Sequence, residues 1–173
     1  MDKDMLKYMV GSQVDLINNE ELRTLVKKIL EKLPEAFWTR ECSKKYHPVD
    51  ERGECGNIIH SLRVTKVGLR ILETTVHEKI DLDMVRASHL LHDCMRHGLE
   101  GKTPFSVKDH PQLVREFIKQ KGLTCELSEK MCDIIDTHMG VWGYPQYLPE
   151  VDLKAILHIA DFIASQTDIE VKL

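Results

Sequence analysis

Nine histidines are the unusual feature of this 173-residue chain, and several stand where folding alone does not account for a polar side chain. His92-Asp93 follows Ala87-Ser88-His89-Leu90-Leu91, a mostly apolar stretch, so the pair is expected at the inner end of a buried helix. An aspartate there is costly unless it is paired or bound to metal. Adjacent helical residues point about 100° apart, so a metal lying between the two directions is within reach of both side chains. Taken alone, the doublet reads better as a capping Asp beside a surface His. Its companions change that balance. His60 lies one helix earlier in His60-Ser61-Leu62-Arg63-Val64, and Asp161 sits in Ile159-Ala160-Asp161-Phe162, apolar on both sides. Three helices then each present an inward polar ligand, which is how helical bundles build metal sites in their cores.

The elements that must position these residues read as helices throughout, with weak strand signals, no internal repeat and no low-complexity segment. Asn19-Glu20-Glu21 opens a run with Leu22, Leu25, Val26, Ile29, Leu30 and Leu33 at spacings of three and four, and Pro34 ends it. A charged stretch broken by Pro48, Gly53 and Gly56 follows over residues 39–57, long for a compact domain and so a candidate for function. Five further helices are expected. The first covers residues 57–78 with a stripe of Ile58, Leu62, Val67, Ile71 and Leu72. The second is capped by Asp81 and ends near His97-Gly98. The third spans 111–120, with Asp109 or His110 at its start, and the fourth spans 124–139 and stops at Gly140. The last begins near Asp152 and carries Leu153, Ile156, Leu157, Ala160 and Ile163.

The order His60, His92-Asp93, Asp161 resembles the HD superfamily of metal-dependent phosphohydrolases, named for its His-Asp doublet. The flanking residues are similar too, in His60-x-x-x-Val64, Leu90-Leu91-His92-Asp93 and Ile159-Ala160-Asp161. The resemblance covers about residues 55–168 and implies an all-α, single-domain HD-type helical bundle, which agrees with the helices drawn independently. Residues 1–54 are then expected as an N-terminal helical segment and entrance loop, and 55–173 as the phosphohydrolase core, in one compact domain. His110 and His138 stand between the doublet and the last Asp. There they look like the two extra ligands of binuclear HD proteins such as the symmetrical dinucleoside-tetraphosphate hydrolases and the HD-GYP phosphodiesterases. The alternative is that each is a helix-terminal histidine, favoured at a C-terminus by the dipole. Gly143-Tyr144-Pro145 does occur, but His138-Met139 lacks the doubled histidine of the HD-GYP group, so the tripeptide reads as a turn.

Arg96 follows Asp93 by three residues, where binuclear relatives often carry a lysine; its guanidinium suits bidentate grip of a substrate phosphate. Lys102, in a glycine-flanked loop, is a second candidate. Solvated surface cations are the plain alternative for both. Tyr46-His47-Pro48 and Cys55-Gly56-Asn57 lead into His60 and resemble the His and Gly-Gly-Leu turn of some exonuclease-associated HD proteins, without the double glycine. His47 is expected to shape the entrance, with direct metal contact as the alternative. Arg40, Lys44, Lys45 and Arg52 in the same stretch are placed to meet an anion. His77 reads as a helix-end residue and His97 as a C-terminal one. His89 and His158 read as core histidines, each three residues from a ligand and able to orient it. Trp38, Trp142, Tyr144 and Tyr147 read as cover for the core edge, or as a base-stacking wall.

Composition sets the frame for this chemistry. An apolar fraction of 42% with 30% charged residues is that of a soluble globular protein. No apolar run approaches the roughly 18 residues of a membrane span, and the start lacks a signal-peptide pattern. A cytoplasmic protein is expected. Five scattered cysteines with no C-x-x-C pair suit reduced thiols, not a disulfide framework or a structural zinc site. The net charge of −4 argues against a stable nucleic-acid complex and leaves a small phosphorylated substrate, a nucleotide first, as the partner. Oligomeric state is not legible. Four histidines and two aspartates favour Fe, Mn, Zn, Co or Ni over Mg. Two ions about 3.5–4 Å apart, bridged by Asp93 and a water, would supply a metal-bound hydroxide to attack phosphorus, with Arg96 or Lys102 on the phosphoryl oxygens. The alternatives are a mononuclear nucleotide monophosphatase using His60, His92, Asp93 and Asp161 alone, a catalytically silent nucleotide-binding regulatory module, and a di-iron oxygenase.

Overall fold

The structure, a computed structural model, describes residues 2–75, 79–143 and 152–173. Eight helices are seen there: α1 (Lys3–Asp15), α2 (Glu20–Lys32), α3 (Glu35–Thr39), α4 (Gly56–Thr75), α5 (Lys79–Leu91), α6 (His110–Gln120), α7 (Glu126–Ile135) and α8 (Leu153–Ser165). Short 3₁₀ turns occupy Val49–Glu51 and Gly140–Trp142, and no strand occurs among the described residues. The expected all-α bundle is what forms.

Helix α4 is the central element and packs against α5 on one side and α8 on the other. Its approach to α5 depends on Gly68: a Cβ there would lie 2.2 Å from Nε2 of the buried His89 ring. Leu6, Val10 and Val14 of α1 and Leu22, Val26 and Ile29 of α2 join Ile58, Leu62, Leu90, Leu91, Ile135 and Leu157 in one apolar core. Helix α2 is anchored at its start by Asn19, whose side chain accepts from Leu22 N–H at 2.9 Å. The buried carboxylate of Asp83 on α5 accepts from the backbone N–H of Asn18 and Asn19 at 3.0 and 2.8 Å. After α8 the last residues run without helix across α4, where Arg63 Nε donates to Val171 O at 2.8 Å and Lys66 Nζ to Lys172 O at 2.5 Å.

Three points depart from expectation. Helices α1 and α3 were not foreseen: α1 exposes Met5 and Tyr8, which blur its stripe, and α3 has only five residues. Asp81 lies inside the first turn of α5 and does not precede it. Helices α5 and α7 stop at Leu91 and Ile135, several residues early, because His92 Nδ1 takes the carbonyl of His89 and His138 Nδ1 that of Ile135. Those carbonyls are the ones a continuing helix would have used. The doublet therefore sits in tight turns just past the buried helix end. The helix expected to reach residue 78 is described to Thr75, and His77 lies outside the described residues.

Candidate metal centre

Six side chains from five elements converge below the mouth of a cavity. His60 comes from the middle of α4, His92 and Asp93 from the turn after α5, His110 from the first residue of α6, His138 from the turn after α7, and Asp161 from α8. All are buried except Asp161, which keeps partial exposure toward the cavity. The carboxylate of Asp93 lies between two groups. Its Oδ2 is 3.7 Å from His92 Nε2 and 4.0 Å from His60 Nε2. Its Oδ1 is 2.9 Å from His110 Nε2 and 3.6 Å from His138 Nε2. Asp161 Oδ1 completes the first group at 3.0 Å from His60 Nε2 and 4.0 Å from His92 Nε2. In the second group the two Nε2 atoms of His110 and His138 stand 3.2 Å apart.

Every one of these histidines turns Nε2 inward, and for three the cause is local. His92, His110 and His138 each donate Nδ1–H to the carbonyl three residues earlier, at 2.7, 2.7 and 2.9 Å. That fixes the tautomer with an Nε2 lone pair facing the centre. His92 Nε2 is buried without a hydrogen-bond partner, an arrangement that folding alone does not favour. Metal–N and metal–O bonds of 2.0–2.2 Å put neighbouring ligand atoms about 3–3.5 Å apart, so the donor set fits a divalent transition metal with little adjustment. Two triads, His60-His92-Asp161 and His92-Asp93-His138, have all their donor atoms within 4.8 Å of one another.

The electrostatics are those of a site short of positive charge. Burial pushes Asp93 up, yet Arg96, His92 and His110 outweigh it and hold the carboxyl well below the usual range. Asp161 is likewise opposed by burial but held low by His60. Burial lowers His92 to about 4, leaving a neutral imidazole. Burial acts the same way on His60, but Asp161 and Glu51 lift it to about 9.

The other candidates divide. Arg96 is buried and committed: NH1 donates to Asp93 Oδ2 at 2.8 Å, Nε to Ser106 Oγ at 2.6 Å, and NH2 lies 3.1 Å from His47 Nε2. Lys102 is exposed, paired with Glu100 at 2.5 Å, and does not line the cavity. His47 is buried, its ring 4.6 Å from that of His60. His158 lines the cavity and donates Nδ1–H to His138 O at 2.7 Å. His89 holds His92 through its carbonyl. His97 Nδ1 lies 3.0 Å from Thr103 O. Trp142 lines the cavity while Trp38 packs edge-on against Phe37, and Tyr144, Pro145 and Tyr147 lie outside the described residues. All five cysteines are free thiols. Glu51 was missed: it is fully buried and touches His47, His60 and Arg63. No sequence signal marked it, because it lies in a short turn after Pro48 within a stretch read as loop.

Above these groups is a cavity of about 630 Å³, walled by Tyr46, Met139, Trp142 and Phe162 and reached by Lys45. No helix among the described residues is long and apolar enough to cross a membrane. No curated protein and no solved structure matches the chain. The family model of the HD domain matches residues 57–165, which contain all six converging side chains. The chain therefore belongs to the HD domain family, a superfamily of metal-dependent phosphohydrolases.

Proposed function

We propose that the chain hydrolyses a phosphate ester or anhydride, with a nucleotide as the leading substrate, at a centre of two divalent transition metals. The observation that carries this reading is the two-sided carboxylate of Asp93, with one oxygen toward His60 and His92 and the other toward His110 and His138. His60, His92 and Asp161 would hold one ion, His110 and His138 the other, and Asp93 both. Bound there, such metals acidify a water and neutralise charge on phosphoryl oxygens. Arg96, fastened to Asp93, keeps that carboxylate ionised and aimed.

The cavity supports a substrate with a flat apolar portion and few phosphates. Tyr46, Trp142 and Phe162 offer exposed faces on which a base can stack. Among the described lining residues only Lys45 and Arg96 are cationic, and Arg96 is already engaged by Asp93 and His47.

Metal content per chain, measured by mass spectrometry on protein purified without chelator, tests the reading. Close to two ions, falling when His110 or His138 becomes Ala, together with chelator-sensitive release of phosphate from nucleotides, is the expected result. One ion indifferent to those substitutions would point to a mononuclear monophosphatase. None after soaking in Mn²⁺ or Fe²⁺ would leave a nucleotide-binding module.

A further inference from the structure

His60 differs from the other inward histidines in how it is held. It sits inside α4, where the carbonyls three and four residues earlier serve the helix itself, so the device used by His92, His110 and His138 is closed to it. What faces its Nδ1 is Glu51 Oε2, 3.2 Å away but off the hydrogen-bonding axis, while its Nε2 lies 3.0 Å from Asp161 Oδ1. Glu51 is fully buried. Burying a carboxylate is expensive, and an apolar side chain fills such a space more cheaply.

The fold goes to some length to keep it there. Cys42 N–H donates to Glu51 O at 2.8 Å. Gly56 allows that carbonyl to approach the start of α4, for a Cβ at Gly56 would lie 1.8 Å from it. Arg63 NH1, one turn along α4 from His60, donates to Oε1 at 2.7 Å. His47 Nδ1 donates to Oε2 at 2.9 Å, which leaves His47 Nε2 to accept from Arg96 NH2 at 3.1 Å, while Arg96 NH1 donates to Asp93 Oδ2 at 2.8 Å. One buried chain thus runs from Arg63 through Glu51, His47 and Arg96 to Asp93. It reaches two of the inward-facing side chains from outside.

We propose that Glu51 is a positioning residue of the metal centre: it holds His60 in the tautomer that turns the Nε2 lone pair inward and, through His47 and Arg96, fixes the carboxylate of Asp93. This rests on the reading of the centre as a metal site. Loss of such an outer carboxylate typically weakens metal binding 10–100-fold.

The test is a Co²⁺ titration of the full chain and of Glu51→Gln and Glu51→Asp, with affinity from chelator competition and ligand geometry from the visible absorption bands. Glu51→Gln should keep the helical circular dichroism, bind Co²⁺ about 10–100-fold more weakly and shift the bands, and Glu51→Asp should recover part of the loss. A folded Glu51→Gln with wild-type affinity and spectrum overturns the proposal. If that variant does not fold, imidazole NMR of the Zn²⁺-loaded wild type decides: a His60 Nδ1–H proton shifted far downfield, as a carboxylate acceptor makes it, supports it, and an unshifted Nδ1–H or a proton on Nε2 overturns it. Wild-type protein that takes up no Co²⁺ sinks the metal reading and this inference together. Binding by wild type that Glu51→Gln equals sinks the inference alone.

Discussion

At the scale of single residues, Asp93 and Glu51 are buried carboxylates whose charge is kept by their partners. Removing Arg96 strands Asp93. Arg96→Ala is therefore expected to cost about 3–5 kcal/mol in urea unfolding, the penalty for breaking a buried pair from one side. Lys102→Ala should leave the same unfolding curve unmoved, since Lys102 is exposed and pairs with the equally exposed Glu100. The pH dependence follows from Glu51 and His60. Burial opposes the charge of Glu51, but His47, His60 and Arg63 hold its pKa at about 2, below an unfolded value of about 4.3. Its contribution is present above about 4.3, is lost as pH falls toward 2, and amounts to about 3 kcal/mol at neutral pH. His60, lifted to about 9, gives the opposite arm: its share is complete below about 6.5 and gone above 9. The Glu51–His60 contact enters both arms and counts once. Calorimetry of the chelated protein should therefore show a gap between wild type and Glu51→Gln that opens as pH rises from 2 toward 5 and narrows only in part above 9, where Arg63 and His47 still hold Glu51. A gap constant from pH 3 to 9 would contradict this account.

At the scale of elements, the polar positions were legible where they interrupted an apolar helix. His60, His92, Asp93 and Asp161 could be picked out because their sequence neighbours are apolar, although Ile159 and Phe162 beside Asp161 prove to be exposed. Glu51 could not, because its burial depends on Arg63 and His47 closing over a loop, and nothing local in Val49-Asp50-Glu51 announces that. Helix ends were misjudged for a related reason: a histidine side chain that takes a backbone carbonyl leaves no mark on hydrophobic spacing. Two glycines give a paired test of the packing. Gly68→Ala forces a Cβ into the His89 ring and should cost about 1–3 kcal/mol. Gly11→Ala, with nothing within 4 Å, should raise stability by about 0.5–1 kcal/mol through helix propensity. Asp83→Ala should cost about 1–3 kcal/mol, because two backbone N–H groups at the start of α2 lose their acceptor. Thermal melts of the three variants check these values.

At the scale of the whole molecule, the candidate centre gathers side chains from α4, α6 and α8 and from the turns after α5 and α7, so a metal held there would tie the bundle together. Metal at 100 times its dissociation constant should add about 2.7 kcal/mol to stability, and chelation should lower the melting temperature accordingly. The segment after α8 extends this coupling to the end of the described chain. Arg63 divides its guanidinium among Asp50, Glu51 and Val171 O, so the same side chain that steadies the loop beside the centre also clasps the last described residues. Any alteration of residues 171–173 therefore pulls on a strap whose buckle is Arg63, and it should be handled as a change to the loop beside the centre rather than as a silent one.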